Sequence, residues 1–448
     1  MLRLSLRWSQ RTGLMLAFAA VLAAAAVALA LAMPYAGELD IVDPAWQATA
    51  RPGRFPQADQ QVSAAASRQT DGTASRMASG VAATGAVHVW LPVEPQVDVA
   101  WIAGFESGPY VSARAAILFE NTTGTVLFAK NAHEKRPPAS TTKILTAILA
   151  LERSRLDEIV TVSQRAASTP GSTARLYTGQ KIRMDDLLHA LLLRSGNDAA
   201  VAIAEHLAAD ESTFVSWMNQ RAAELGAVNS RFQNPHGLDT PGHYSTAYDL
   251  ALISRIALVY PTFAEIVRKR SYEYQGQTWT NTNRLLWRFE GLEGIKTGTT
   301  SGAGYCLVAA ASQDGMQLIS VVLDSNDRWE DSSRLLSWGF ESFHRLTLAD
   351  RGDVLARLPL ADGMAPVVAV ASGPLAVMVR DRDVGHVTTR LEINPGLKAP
   401  IRRGDTLGSF DVYIDGTLVK SIPLVAAASI ARRTPLRLLW DWLSRTFR

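Results

Sequence analysis

The sequence contains very little cysteine and carries almost no net charge. Cys306 is the single cysteine in 448 residues, so a disulfide within the chain is excluded. Lys and Arg number 45 and Asp and Glu 42, which gives a net charge of +3. This charge is too small to indicate nucleic-acid binding. His and Cys do not occur at the spacing of metal ligands, and we therefore expect no metal site.

Charged residues are also sparse at 19%, whereas apolar residues make up 47% of the chain. This balance argues against global disorder and allows a large core, and the length exceeds what one ordinary domain needs. One stretch differs from the rest. From Gly37 to about Pro109 the composition shifts to Ala, Ser, Thr, Gln, Asp and Gly, which predicts a low-complexity tether over residues 37–110.

One long apolar run lies at the N-terminus, from Gly13 to Met33, and arginines precede it. A basic segment followed by an apolar run is typical of an export signal, and this run is long enough to span a bilayer. Ala28-Leu29-Ala30 is a candidate cleavage site. Residues 1–36 are therefore interpreted as a cleaved signal peptide or a retained membrane anchor. Both alternatives imply that the rest of the chain is exported.

The order of elements after the tether predicts an α+β fold. Apolar runs separated by turn residues predict two β-hairpins, at 115–128 and 305–323. Between them, from Ser140 to about Glu265, apolar residues recur mainly at helical spacing, and Ser332–Phe343 predicts a further helix. We therefore expect a sheet that carries an inserted helical lobe, over residues 111–348.

The C-terminal part predicts a second, smaller domain. Residues 349–425 have the alternation and turn signals of an all-β domain, for example around Asp415-Gly416. In residues 426–448, Leu, Trp and Phe occupy one helical face and Arg the other. This pattern is typical of a helix that lies in a membrane interface, and docking on the protein's own surface is the alternative.

The first short motif with chemical meaning is Ser140-Thr-Thr-Lys143. It follows two prolines and precedes an apolar run, so it lies where a helix begins, and a step of three residues puts Ser140 and Lys143 on one face. A serine hydroxyl needs a base to become a nucleophile, and a buried lysine among other cations can serve as that base. Alone the motif is weak, because a helix cap followed by a solvated lysine has the same sequence.

Two further motifs follow. Ser195-Gly-Asn197 is predicted to form a turn between two helices, where Ser195 can relay a proton and Asn197 can bind a substrate amide. Lys296-Thr-Gly298 is predicted to be an edge strand, in which the glycine lets a ligand backbone approach. The positive charge of Lys296 and the hydroxyl of Thr297 are suited to binding a carboxylate. A plain turn and a surface strand are the alternatives for the two motifs taken singly.

The three motifs in this order are the signature of active-site serine penicillin-recognising enzymes. From about Ala113 to Phe343 the chain resembles the low-molecular-weight D-alanyl-D-alanine carboxypeptidases, a penicillin-binding protein family. The matching text includes Pro137-Pro-Ala-Ser-Thr-Thr-Lys143, Ser195-Gly-Asn-Asp-Ala-Ala200, Asn234-Pro-His-Gly-Leu238, Tyr244-Ser-Thr-Ala247 and Leu335-Leu-Ser-Trp-Gly-Phe340. The resemblance implies a β-lactamase/D,D-peptidase-like sheet with an inserted helical lobe. It extends to the family's C-terminal β domain and membrane-surface anchor, whereas the long tether is unusual.

The resemblance also implies roles. Ser140 is expected to form the acyl-enzyme, Lys143 to be the base in acylation, and Ser195 to relay the proton to the leaving D-Ala amine. The substrate-binding residues are expected to be Asn197, Lys296, Thr297, Gly298, Thr299 and Arg328. Among these, Arg328 matches an additional carboxylate-binding arginine, and the backbone N–H groups of Ser140 and Thr299 are expected to form the oxyanion hole.

Other conspicuous residues are interpreted as structural. We expect His236 to be a turn residue rather than a base, Cys306 to be a small buried side chain, and Asp198 and Asp249 to accept local hydrogen bonds. Trp279 and Trp287 are expected to line the cleft or to fill the core.

The implied reaction is hydrolysis of the terminal D-Ala-D-Ala bond of peptidoglycan stem pentapeptides through a serine ester, without a cofactor. β-Lactam antibiotics are expected to be covalent inhibitors, and the enzyme is expected at the outer, periplasmic face of the bacterial cytoplasmic membrane. Three alternatives stay open: a D,D-endopeptidase of cross-links, a β-lactamase and an inactive cell-wall-binding scaffold.

Overall fold

The computed structural model describes residues 108–208 and 210–434. The expected export segment, the tether up to residue 107 and residues 435–448 of the expected membrane helix lie outside these ranges. The strands are β1 (Ala115–Glu120), β2 (Val126–Lys130), β3 (Ile159–Thr161), β4 (Lys181–Arg183), β5 (Ser271–Tyr274), β6 (Gln277–Thr280), β7 (Leu292–Thr300), β8 (Gly304–Gln313), β9 (Met316–Ser325), β10 (His344–Ala349), β11 (Val354–Leu358), β12 (Val367–Ala371), β13 (Leu375–Val379), β14 (Val387–Ile393), β15 (Thr406–Ile414) and β16 (Thr417–Ala426). The α-helices are α1 (Lys143–Arg153), α2 (Gln164–Ala167), α3 (Met184–Leu193), α4 (Asn197–Leu207), α5 (Glu211–Glu224), α6 (Ala247–Ala257), α7 (Pro261–Arg268) and α8 (Arg328–Ser342).

A five-stranded antiparallel sheet forms the centre of the first domain, with the strand order β2-β1-β9-β8-β7. Both predicted hairpins belong to it, as β1–β2 and β8–β9. Strand β7 carries the third motif and lies at the edge of the sheet, as predicted. The edge position leaves one side of β7 free to face a ligand.

Residues 115–119 of strand β1 are apolar without interruption. Ala115, Ile117 and Phe119 belong to the core of the helical lobe, whereas Ala116 and Leu118 belong to the core beneath α8. Successive side chains of a strand point to opposite faces, so a sheet covered on both faces needs apolar residues at every position. The expected α+β class, a sheet with a helical lobe on it, is confirmed.

Helices α1 to α7 form the lobe inserted between β2 and β7. Helix α1 is central: Lys143–Ala150 are all buried, and it packs against α3, α4, α5 and α6. The lobe also contains two small two-stranded sheets, β3–β4 and the hairpin β5–β6, which the sequence pattern does not predict. Within the described ranges, no single helix has the length and apolar character to cross a membrane; α6 and α7 have them only as a pair, bent by 109°.

The second domain is all-β, as expected. Its main sheet has the order β11-β12-β16-β15-β14, and β10 pairs with β13 beside it. The predicted turn between β15 and β16 is made by Asp415 and Gly416, with φ values of 48° and 76°. A two-residue hairpin turn of this type needs both residues in the left-handed region.

Both ends of this domain extend beyond the segment expected from the sequence. Strand β10 begins at His344, directly after α8, and pairs with β13 over its whole length. After β16, Ile430 pairs with Ile401, and the Arg433 N–H donates to Asp362 O at 2.8 Å. The chain therefore stays attached to the β domain at least as far as residue 433.

Candidate active site

Ser140 and Lys143 lie at the N-terminal end of α1, as predicted. Ala139–Thr142 form a 3-10 turn that continues into the helix. Ser140 is half-buried, Lys143 is 0% exposed, and Lys143 Nζ lies 2.8 Å from Ser140 Oγ. The Ser140 side chain is thus partly accessible to solvent, whereas the Lys143 side chain is completely buried.

Lys143 Nζ has two further partners at hydrogen-bond distance. It donates to Asn197 Oδ1 at 2.7 Å and to the backbone carbonyl of His236 at 2.6 Å. The amide of Asn197 is oriented by its other end, because Nδ2 donates to Pro170 O at 2.6 Å. Asn197 therefore joins the second motif to the first.

The surroundings of Lys143 disfavour its charged form. Burial is the main cause that lowers the pKa of Lys143 well below its ordinary value, and the nearby charge of Lys296 lowers it further. The carboxylate of Asp198 acts in the opposite direction. An amine with a lowered pKa is neutral at lower pH than an exposed lysine and can then accept a proton.

Ser195 lies in the turn between α3 and α4, as predicted. Its φ of 60° is in the left-handed region, and the side chain is 4% exposed. Its Oγ has no hydrogen-bond partner among the residues that the structure describes. A buried hydroxyl without a partner is costly unless a ligand or water completes it.

Lys296 and Thr297 lie next to each other on β7. Lys296 is 1% exposed, and burial together with the charge of Arg328 lowers its pKa to about 7. The Thr297 hydroxyl lies 2.8 Å from that of Thr282, whose backbone N–H donates to Leu193 O at 3.1 Å. Thr282 thus connects the third motif with the end of α3, and no motif in the sequence indicates this residue.

Gly298 is the point where β7 approaches Ser140. A Cβ on this residue would lie 3.0 Å from the Ala139 Cβ and the Pro138 carbonyl and 3.1 Å from the Ser140 backbone nitrogen. These contacts are tighter than side chains normally make. A glycine here therefore keeps open the space beside the Ser140 N–H.

Arg328 and Thr299 lie beyond Gly298, at the C-terminal end of β7. Arg328 Nη1 donates to Gly298 O and to Thr299 Oγ1, both at 2.8 Å. Its guanidinium also lies 5.2 Å from the Tyr305 ring and 4.7 Å from the Trp329 ring. Arg328 is half-buried and Thr299 is exposed. The arginine is thus held at the rim of the cleft as a fixed positive charge.

The two histidines near Lys143 are neutral. Burial lowers the pKa of His236 to about 3 and that of His243 to about 4. The Leu238 N–H donates to His236 Nδ1 at 3.2 Å, so the proton of this ring is on Nε2. His236 contributes a backbone carbonyl to the site, in agreement with its interpretation as a turn residue.

The other conspicuous residues behave largely as expected. Cys306 is 0% exposed on β8, and burial raises its pKa to about 11. Asp198 accepts a hydrogen bond from the neighbouring Ala199 N–H, and Asp249 accepts one from the Ser230 hydroxyl. Trp279 is buried and stacks on Tyr274, whereas Trp287 is 46% exposed. In residues 108–208 and 210–434, no group of three His, Cys, Asp or Glu residues lies in a position to hold a metal ion.

The chain matches two family models. The model for D-alanyl-D-alanine carboxypeptidase, a peptidase family, matches residues 103–327, and the model for the C-terminal domain of penicillin-binding protein 5 matches residues 343–432. Helix α8 lies between the two matches, and the second match begins one residue before β10.

Characterised relatives match over most of the chain. The chain is 34% identical over 366 residues to the D-alanyl-D-alanine carboxypeptidase DacC of Escherichia coli, covering 76% of this chain and 89% of that one. It is 32% identical over 352 residues to DacF of Bacillus subtilis, covering 74% and 90%. Among solved structures, penicillin binding protein 5 from Haemophilus influenzae is similar with a TM-score of 0.67 and 29% identity, covering 73% of this chain and 99% of that one.

Proposed function

The chain belongs to the D-alanyl-D-alanine carboxypeptidase family and is a serine D-Ala-D-Ala carboxypeptidase, and from that premise we propose that Ser140 is the residue acylated in its reaction. The observation that carries this assignment is the 2.8 Å contact between Ser140 Oγ and the buried Lys143 Nζ. The reaction is removal of the terminal D-Ala from peptidoglycan stem pentapeptides by acyl transfer through a serine ester.

Lys143 acts as the general base in its neutral form. A neutral amine has two N–H groups and one lone pair. Asn197 Oδ1 and His236 O accept the two N–H groups, and this leaves the lone pair for the proton of the Ser140 hydroxyl. The lowered pKa of Lys143, caused mainly by burial, makes the neutral form available.

The substrate lies along the free edge of β7. Its scissile carbonyl oxygen accepts hydrogen bonds from the backbone N–H groups of Ser140 and Thr299, next to the open space at Gly298. The free carboxylate of the terminal D-Ala binds Lys296 and Thr297. Arg328 adds positive charge at the same rim, since its guanidinium is held against the end of the strand.

The leaving amine receives its proton from Lys143 through Ser195. The hydroxyl of Ser195 is buried and has no partner within the described residues, so a bound substrate can supply the missing hydrogen bond. Asn197 retains one N–H on Nδ2 beyond the one given to Pro170, and this group holds the substrate amide. Once D-Ala has left, water hydrolyses the ester.

Labelling with fluorescent penicillin tests the nucleophile, because β-lactams acylate such a serine as substrate mimics. The modified peptide should contain Ser140, and the Ser140→Ala variant should stay folded but unlabelled. Label that persists in folded Ser140→Ala protein would refute the assignment. Rapid loss of label from the wild-type protein would indicate a β-lactamase instead.

Purified peptidoglycan digests test the substrate. Release of free D-Ala from pentapeptides supports the carboxypeptidase reaction on that substrate. Release of monomers from cross-linked material would indicate a D,D-endopeptidase. Trimming that is unchanged in cells carrying Ser140→Ala in place of the wild-type chain would indicate an inactive scaffold.

The arrangement along the chain is proposed as an export segment (1–36), a tether (37–110), a catalytic domain (expected at 111–348), a β domain and a membrane-associating helix. The β domain, expected at 349–425, includes residues 344–433 in the structure, so the membrane-associating helix, expected at 426–448, is proposed for the residues that follow. The chain pairs with the β domain up to Arg433, so a test of the membrane helix should remove residues 435–448 only. If the export signal is cleaved, this truncation should release active enzyme from the membrane fraction. Retention of the truncated enzyme in that fraction would indicate that the first apolar run is kept as an anchor.

A further inference from the structure

Asp198 is a fully buried carboxylate at the start of α4 that takes no direct part in the proposed chemistry. Its two oxygens accept hydrogen bonds from one loop, residues 169–177, here called the clamp loop. Ala174 N donates at 3.0 Å and Leu176 N at 3.1 Å to Oδ2, and the Thr173 hydroxyl donates to the same oxygen at 2.5 Å. The Ala199 N–H donates to Oδ1 at 2.9 Å. This carboxylate therefore anchors the loop to the helix.

The clamp loop in turn holds Asn197. Pro170 O accepts from Asn197 Nδ2 at 2.6 Å, and Ser172 O accepts from the Asn197 backbone N–H at 2.7 Å. A Cβ on Gly171, whose φ is 91°, would lie 2.7 Å from Asn197 Nδ2. Because Nδ2 is bound by the loop, Oδ1 is the end of the amide that faces Lys143.

We propose that Asp198 is a positioning residue for Lys143, acting through the clamp loop that it anchors and through its own negative charge. This inference rests on the proposed role of Lys143 as the general base. It adds a residue that touches neither the substrate nor the reacting atoms.

The charge of Asp198 is one of several that face Lys143. Lys296 faces it from β7 and Asp198 from α4, and two titratable groups that are neutral, His236 and His243, face it from the loop before α6. Asp198 stabilises the ammonium form, whereas burial and Lys296 disfavour it. Loss of the Asp198 charge should therefore lower the pKa of Lys143 further. The acylation rate constant rises with pH as Lys143 loses its proton, and this acid limb of the pH profile should then move to lower pH.

The test measures the second-order acylation rate constant with fluorescent penicillin as a function of pH, in full-chain protein. Asp198→Asn should move the acid limb to lower pH and lower the plateau about tenfold to 100-fold, since a displacement of about 1 Å in a catalytic group costs about 100-fold. Thr173→Val removes one anchoring bond but keeps the charge. It should lower the plateau about threefold to tenfold with the acid limb unmoved.

Two controls separate positioning from general damage. Asp249→Asn changes another buried carboxylate, at the start of α6, and should leave the acid limb in place. Thr173→Ser retains the hydroxyl and should restore the plateau lost in Thr173→Val.

A folded Asp198→Asn protein with the wild-type acid limb and plateau would overturn the proposal. If Asp198→Asn does not fold, wild-type acylation by folded Thr173→Val would overturn it. Failure of the proposed mechanism itself has a different readout, because the wild-type protein would then not be labelled on Ser140.

Discussion

Two buried lysines lie near Ser140, and the proposed mechanism needs them in opposite charge states. Lys143 must be neutral to accept the serine proton, whereas Lys296 must be charged to bind a carboxylate. Burial lowers the pKa of both, the charge of Lys296 adds to the effect on Lys143, and that of Arg328 adds to the effect on Lys296. Activity therefore depends on a pH window in which the two states coexist.

The alkaline side of that window should come from Lys296. Since its pKa is lowered to about 7, it is charged below that pH and loses its proton above it. For a peptide ending in free D-Ala, kcat/KM should fall as pH rises through about 7. The measurement is kcat/KM from about pH 5 to about pH 9.

A matched peptide with a C-terminal amide is the control for this prediction. It has no carboxylate for Lys296 to bind, so its lower kcat/KM should lack the alkaline limb. Equal alkaline limbs for the two peptides would contradict the role of Lys296.

Lys143→Arg should abolish most of the activity although it keeps a positive charge. A guanidinium does not lose its proton in a protein, so it cannot act as a base. The acylation rate constant should fall about 100-fold to 10,000-fold, the usual contribution of general base catalysis. Lys135→Arg, at an exposed lysine, should acylate at the wild-type rate. Near-normal acylation by Lys143→Arg would refute the base assignment.

At the residue scale, the sequence predicts side chains better than backbone partners. The contact of Ser140 with Lys143 follows from one helical step, and Asn197 is marked by its motif. By contrast, the carbonyls of Pro170 and His236 complete the site, and a carbonyl occurs in every residue. Their participation depends on how distant loops pack against α1, which local spacing does not encode.

At the element scale, the short distance between β7 and the turn before α1 determines how much space is left beside the Ser140 backbone nitrogen. Gly298→Ala should fold, because the φ of Gly298 is not in the left-handed region. Its Cβ would, however, lie 3.1 Å from the Ser140 nitrogen, within the space where the substrate oxygen is expected. Acylation should fall by about tenfold or more, as expected when one oxyanion donor is impaired.

Gly373→Ala is the matched control for that change. A Cβ at Gly373 would meet nothing within 4 Å, so both the melting temperature and the acylation rate constant should stay at wild-type values. A Gly298→Ala protein that is acylated at the wild-type rate would show that the space beside Ser140 is not used.

Whether a strand pair can be predicted from the sequence depends on how long and how apolar its strands are. The β8–β9 hairpin has long apolar strands on either side of Asp314-Gly315, and it is predicted from the pattern. The β5–β6 hairpin has four-residue strands and mostly exposed side chains. Its turn, Gln275-Gly276, has positive φ at both residues, and this is its one local signal.

At the scale of the whole molecule, the two domains share part of one core. Met378 on β13 is 2% exposed and belongs to the same apolar cluster as Phe343 and Leu336 of the catalytic domain. Met378→Ala should lower the free energy of unfolding by about 2–5 kcal/mol. Because the cluster spans the junction, the loss should appear in a single cooperative transition, measured by urea denaturation.

Met364→Ala is the corresponding surface control. Met364 is 50% exposed, and its replacement should change the free energy of unfolding by less than about 0.5 kcal/mol. Two separate transitions, of which Met378→Ala moves only the one belonging to the β domain, would contradict a shared core.

The direct passage of α8 into β10, together with the pairing of β10 and β13, has a mechanical consequence. Domains joined by a loose linker swing independently, whereas a paired strand and a common core make them turn as one. If the β domain is held on a surface, the rigid joint fixes the distance and tilt of the Ser140 site relative to that surface. A change in the length of the β domain would therefore shift the position of the active site relative to that surface, although no residue of the site itself would change.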